Sequence, residues 1–179
     1  MRQIKIIGIG GIGTNLLLFL PRYLNYLPYR SCVTLLDYDE VEEKNFQRQS
    51  LKSFGPKALV KTQELAREGF SNISFRAIPE MVRPENISQL IESGDTVFLC
   101  VDNHPTRKLV SDHCEKLPFI LLVSGGNELT DGNVQVYLRV DGKNMTHPIT
   151  KFHPEIAGVQ EKPVWDMGCE ELANRPGGE

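Results

Sequence analysis

Apolar and polar positions alternate in blocks along this chain, and the blocks change period. Ile4-Lys5-Ile6-Ile7 is a short apolar run ending in glycine, which predicts a strand over residues 3–9. A helix follows over residues 13–27, with Asn15 near its start and Pro28 as its stop. Cys32-Val33-Thr34-Leu35-Leu36-Asp37 reads as a buried parallel strand, and residues 41–50 are polar and irregular. Residues 56–68 read as a helix with Pro56 in its first turn, 73–78 as a strand and 84–92 as a short helix. A strand over 95–101, a helix over 104–117 and a strand over 119–124 complete the alternation. Strands alternating with helices predict an α/β fold, a doubly wound, Rossmann-like, mostly parallel sheet.

The period then becomes two. Val134 to Val140 alternates after the turn residues Thr130-Asp131-Gly132-Asn133, which predicts an antiparallel C-terminal strand with one wet face. Beyond residue 141 periodicity is lost. We therefore expect a nucleotide-binding domain over residues 1–140 and an irregular segment over 141–179, which reads as a crossover loop, a partner-binding surface or a truncated region.

Composition narrows the function classes. The chain has 179 residues, 40% hydrophobic and 24% charged, enough for one domain with a core. A formal net charge of −3 argues against nucleic acid as the main partner. No apolar run reaches membrane-spanning length, and the N-terminus reads as a strand rather than a signal peptide, so a cytoplasmic protein is expected. Cys32, Cys100, Cys114 and Cys169 are scattered and form no CxxC pair.

The candidate chemistry starts at Gly8-Ile9-Gly10-Gly11-Ile12-Gly13, between a strand and a helix. Glycines let the backbone approach a phosphate, and a helix N-terminus points free N–H groups at it. Asp37 ends the second strand, where an acid bonds ribose hydroxyls in NAD and ATP sites alike; its other reading is a turn cap. An NAD(P)-binding oxidoreductase is the common inference from these two features alone.

The next segment discriminates. The GxGGxG loop, Asp37-Tyr38-Asp39 at a strand end, and Asn45-Phe46-Gln47-Arg48-Gln49 after an eight-residue step from Asp37 to Asn45 resemble the ThiF/MoeB/HesA family. These are ATP-dependent adenylyltransferases related to ubiquitin-activating enzymes. Gly55-Pro56-Lys57-Ala58 resembles the family's G-x-x-K-A, one residue short, so Lys52 and Lys61 rival Lys57. Asp102-Asn103-His104-Pro105-Thr106-Arg107 resembles its D-N-x-x-x-R, and Val123-Ser124-Gly125-Gly126 with Gly132-Asn133-Val134 resembles its last conserved segment. The resemblance covers about residues 3–140.

The resemblance implies that Gly8, Gly10, Gly11, Gly13, Asp37 and Asp39 build the nucleotide site. Asn45, Arg48 and Lys57 would reach the phosphates, and Asp102 would ligate Mg²⁺. Asp102 has a rival role as a helix cap. The implied reaction is attack of a carboxylate on the ATP α-phosphate, the carboxylate being the C-terminus of a ubiquitin-like or sulfur-carrier protein. A non-catalytic, partner-dependent half of such an enzyme is the alternative.

Departures from the family pattern set further expectations. Cys169, in an acidic neighbourhood, is a candidate acyl acceptor or a plain thiol. With no CxxC pairs, no structural zinc is expected. Relatives carry an N-terminal helical segment that gives an arginine to the partner subunit, whereas this sequence opens on its first strand and reads as a compact variant, a fragment or one half of a heterodimer. Arg2 lies close to that strand, and Arg175-Pro176-Gly177-Gly178-Glu179 reads as a flexible end. Leu16-Leu17-Leu18-Phe19-Leu20 is apolar on every helix face, which predicts a homodimer or heterodimer, or cover by the C-terminal segment.

Overall fold

A computed structural model describes residues 1–127 and 132–158 of the chain. Seven strands form one sheet: β1 Arg2–Ile7, β2 Ser31–Leu36, β3 Ile73–Ile78, β4 Thr96–Leu99, β5 Ile120–Asn127, β6 Gly132–Val140 and β7 Lys143–Asn144. Their order is β3-β2-β1-β4-β5-β6-β7. The first five are mutually parallel; β6 runs antiparallel to β5, and β7 antiparallel to β6. The doubly wound, mostly parallel sheet with an antiparallel C-terminal strand is thus the observed fold.

Side-chain alternation sends the sheet's residues to two cores. On one face Ile4, Ile6, Val33 and Leu35 pack with Leu17 and Leu24 of α1 (Gly11–Tyr26) and with Ala58 and Leu65 of α2 (Lys57–Ala66). On the other face Ile7, Leu36, Val97, Leu99 and Leu122 pack with α3 (Ile87–Leu90) and α4 (His104–Cys114). Residues 41–50, expected to be irregular, contain a 3₁₀ turn at Glu43–Gln47. Past residue 141, α5 (Ile149–Phe152) and α6 (Pro154–Ala157) are single turns whose Ile149 and Ile156 are buried.

Two apolar surfaces are exposed among the described residues. On α1 only one stripe enters the core, and Phe19, Tyr23 and Tyr26 are 73%, 61% and 87% exposed. The wet face of β6 is its aliphatic one, not its polar one. Tyr137 is fully buried, and its hydroxyl donates to Asn144 at 2.8 Å. Residues paired across strands share a face. The register Leu121↔Leu138, Val123↔Val136 and Gly125↔Val134 therefore puts a band of aliphatic side chains beyond the cover of α1, with Val134 and Val136 exposed. Among the described residues no helix is long and apolar enough to cross a membrane.

Candidate nucleotide site

The strand order reverses between β1 and β4, the place where doubly wound sheets leave a crevice at the carboxyl ends of their strands. A cavity of about 1280 Å³ opens there. This exceeds the roughly 300–1,000 Å³ typical of a small-molecule site.

The glycine loop divides into structural and open positions. Gly8 has φ +93°, and a Cβ there would stand 2.9 Å from backbone atoms of Cys100 and Val101. At Gly13 a Cβ would stand 2.0 Å from the Gly8 carbonyl oxygen. These two let α1 start directly against the ends of β1 and β4. Gly10 and Gly11 meet nothing within 4 Å, and both line the cavity. Gly10 caps α1 without any side-chain hydrogen bond, so first-turn N–H groups of α1 stay open to an anion.

Asp37 is 8% exposed at the end of β2. Its Oδ2 accepts the Ile9 N–H at 2.5 Å and its Oδ1 accepts the Asp39 N–H at 2.8 Å. It thus ties the glycine loop to β2 while each oxygen keeps a lone pair for a further donor. Burial raises the Asp37 carboxyl above its ordinary range; the two N–H groups oppose that, Asp39 adds to it and Lys57 opposes it. The folded protein therefore holds this proton more tightly than the unfolded chain. The stability it contributes is full below the ordinary carboxylate range and is lost as pH rises through the raised value. Asp37→Asn should remove that part of the profile, so that melting temperatures between pH 3 and pH 7 (about the span of carboxylate titration) decline less steeply in the variant.

Asn45 is 3% exposed inside the 3₁₀ turn, where its side-chain oxygen accepts the Glu42 N–H at 2.8 Å. Arg48 follows at the end of that turn, exposed, with no ion pair among the described residues. Both line the cavity, as does Gln49. The three rival lysines differ in position. Lys57 lines the cavity and donates to Asp39 Oδ2 at 2.8 Å, whereas neither Lys52 nor Lys61 lines it.

The second motif splits into three roles. Asn103, not Asp102, caps α4: its side-chain oxygen accepts the Thr106 N–H at 2.9 Å. Arg107 is buried and donates to Ser124 Oγ at 2.9 Å and to the carbonyls of Val101 and Gly125, each at 2.6 Å. It fastens β4 to β5 and has little left for a ligand. Asp102 is exposed at the cavity and makes no hydrogen bond or ion pair among the described residues.

Several lining residues gave no usable sequence signal. Met81 and Val82 follow β3, and the crevice rule alone could have nominated them. Lys44, His104, His153, Glu155 and Ile156 also line the cavity. Cys100 lines it too, but burial pushes its thiol up to about 12, which keeps it protonated and unreactive. Arg2 stacks over Tyr29 at 4.0 Å, at the opposite end of β1 from the glycine loop. His147 packs against Phe152 and is not a lining residue. Cys169 lies outside the described residues.

Comparison with known proteins agrees with this architecture. The ThiF family model matches residues 2–165. The chain belongs to the ThiF family. It is 36% identical over 141 residues to adenylyltransferase and sulfurtransferase MOCS3 of Drosophila sechellia, covering 75% of this chain and 29% of that protein. The MOCS3 of Danio rerio is 35% identical over 143 residues, again with 75% and 29% covered. The chain thus spans less than a third of the length of these curated relatives. Among solved structures, Escherichia coli MccB with ATP superposes at a TM-score of 0.63 and 19% identity, over 90% of this chain and 48% of that one. MccB with AMPCPP and MccA gives 0.64 at 21%, over 90% and 49%. At such identities the likeness is one of fold.

Proposed function

We propose that this ThiF-family chain binds ATP·Mg²⁺ in the β1/β4 crevice and adenylates a carboxylate, that of a ubiquitin-like or sulfur-carrier protein. The observation that carries the reading is Asp102, a carboxylate without a partner among the described residues, in the same cavity as Arg48, Lys57 and the open N-terminus of α1. Mg²⁺ is held by one or two carboxylates, waters and phosphate oxygens rather than by a protein cage. Asp102, exposed at the cavity without a hydrogen bond or ion pair among the described residues, fits that mode. When bound, the ion would neutralise charge on the phosphates and the departing pyrophosphate.

The chain's own residues do the positioning. Asp37 accepts the ribose hydroxyls on its remaining lone pairs. Gly10 and Gly11 let the phosphates approach the N-terminus of α1, and Asn45 and Arg48 hold the triphosphate. Lys57 turns from Asp39 toward it. A carboxylate oxygen of the partner then attacks the α-phosphorus. The bond from that phosphorus to the α,β-bridging oxygen breaks, and pyrophosphate leaves with its electron pair. No proton transfer is required, in keeping with catalysis by positioning and charge neutralisation. The MOCS3 likeness favours a sulfur-carrier or ubiquitin-like partner, and the size of the cavity favours a chain end entering beside the nucleotide. Exchange of labelled pyrophosphate into ATP tests the reading. Exchange that depends on a carrier protein with an intact C-terminal carboxylate supports it; ATP binding without exchange, across candidate carriers, favours the non-catalytic half.

The open aliphatic band on β5 and β6, with Val134 and Val136 at its exposed edge, supports association with a second copy or a partner subunit. Patches of this kind mark interfaces. Val136→Glu should shift the sedimentation mass of the intact chain from dimer to monomer while the monomer keeps a cooperative melt, since the side chain is 48% exposed. A native chain that sediments as a monomer would reject the homodimer.

A further inference from the structure

We propose that Lys61 and Glu64 are positioning residues, a buried latch on α2 that fixes where Arg48 and Gln49 stand in the cavity. The proposal rests on the ATP reading above. Lys61 Nζ donates to the Ser50 carbonyl at 2.6 Å and to Glu64 Oε2 at 3.1 Å. Glu64 Oε1 accepts the Lys52 N–H at 2.8 Å. The two side chains are 5% and 11% exposed, so both charges are nearly withdrawn from water.

A buried ion pair is a poor source of stability, because desolvation offsets most of the attraction. What this pair does supply is geometry. Each partner spends a hydrogen bond on the backbone just beyond Arg48-Gln49. Elsewhere the loop is tied by the Arg48 and Gln49 N–H groups, which both donate to the Asn45 carbonyl, by the Leu51 N–H donating to the Gln49 carbonyl, and by Leu51 packing with Val41 and Val60. Among the described residues the Arg48 side chain has no partner, so its place in the cavity is set by this backbone. Lys57 and Lys61 sit four residues apart on one helix face. One helix thus presents a cation to the cavity and, a turn later, holds the loop that presents another. The backbone positions that carry the two cations are set relative to one another before any nucleotide arrives, a form of preorganisation that lowers the entropic cost of holding a triphosphate.

The test is calorimetry of the intact chain with ATP·Mg²⁺ and with AMP. Lys61→Met should weaken ATP·Mg²⁺ about tenfold and AMP less than about twofold, within the roughly hundredfold that a small misplacement can cost. Lys61→Arg should recover most of the loss. If Lys61 acts through Arg48, the double variant with Arg48→Ala binds ATP no more weakly than Arg48→Ala alone. Additive losses, equal weakening of AMP, or unchanged ATP affinity would overturn the latch. A readout without nucleotide separates this from failure of the ATP reading: amide hydrogen exchange over Arg48 to Lys52 should quicken about tenfold in Lys61→Met. Unchanged exchange there rejects the latch even if the native chain binds no ATP. Glu64→Gln, which keeps the Ser50 contact, gives the same readings with smaller changes if Lys61→Met does not fold.

Discussion

Asp102→Ala should abolish the magnesium dependence of ATP binding and lower pyrophosphate exchange by about 10²–10³-fold, the scale seen when one preorganised electrostatic contact is removed from a transition state. The same variant should melt within a degree or so of the native chain, because substitutions of exposed, unpartnered side chains seldom move stability by more than about 0.5 kcal/mol. Asn103 already caps α4, so the helix does not need Asp102. Arg48→Ala provides the contrast. It should weaken ATP far more than AMP, since a guanidinium fork matches the oxygens of a polyphosphate. Titrations of both nucleotides with and without magnesium separate the two residues. A magnesium effect that survives in Asp102→Ala would assign the ion to another group.

Gly13→Ala should cost the protein its fold. The new Cβ would meet the Gly8 carbonyl oxygen at 2.0 Å, backbone against backbone, with no flexible side chain to yield. Overpacking in a tight site costs 1–3 kcal/mol and sometimes more, and here we expect at least about 3 kcal/mol, seen as loss of the native thermal transition. Gly11→Ala is the control. It meets nothing within 4 Å, so its transition should stay within about 1 kcal/mol of the native one, in the direction helix propensity favours. A native-like melt for Gly13→Ala would mean that α1 does not start against β1 as described.

How much of this was legible in the sequence follows from what each signal depends on. The inner parallel strands were readable because both their faces are largely covered, which leaves apolar runs such as Val97 to Leu99. The glycine loop and Asp37 were readable because a tight turn and a strand end constrain residue type locally. The choice between Lys57 and Lys61 was not. They occupy the same helix face, and only the tertiary partners, Asp39 for one and Ser50 with Glu64 for the other, tell them apart. The period of β6 was legible, but which of its faces is wet depends on the side from which α4 and α5 pack, with Tyr137 and Ile149 sharing one core. His153 and Glu155 come to the cavity from single-turn helices too short to leave a periodic pattern.

Isothermal titration of the intact chain with ATP·Mg²⁺ and with NAD, side by side, tests the central claim most directly. The crevice with Asp37, Arg48, Lys57 and Asp102 predicts saturable ATP binding that strengthens with magnesium, and little or no heat from NAD. Preferential NAD binding, or ATP binding indifferent to magnesium, would contradict it.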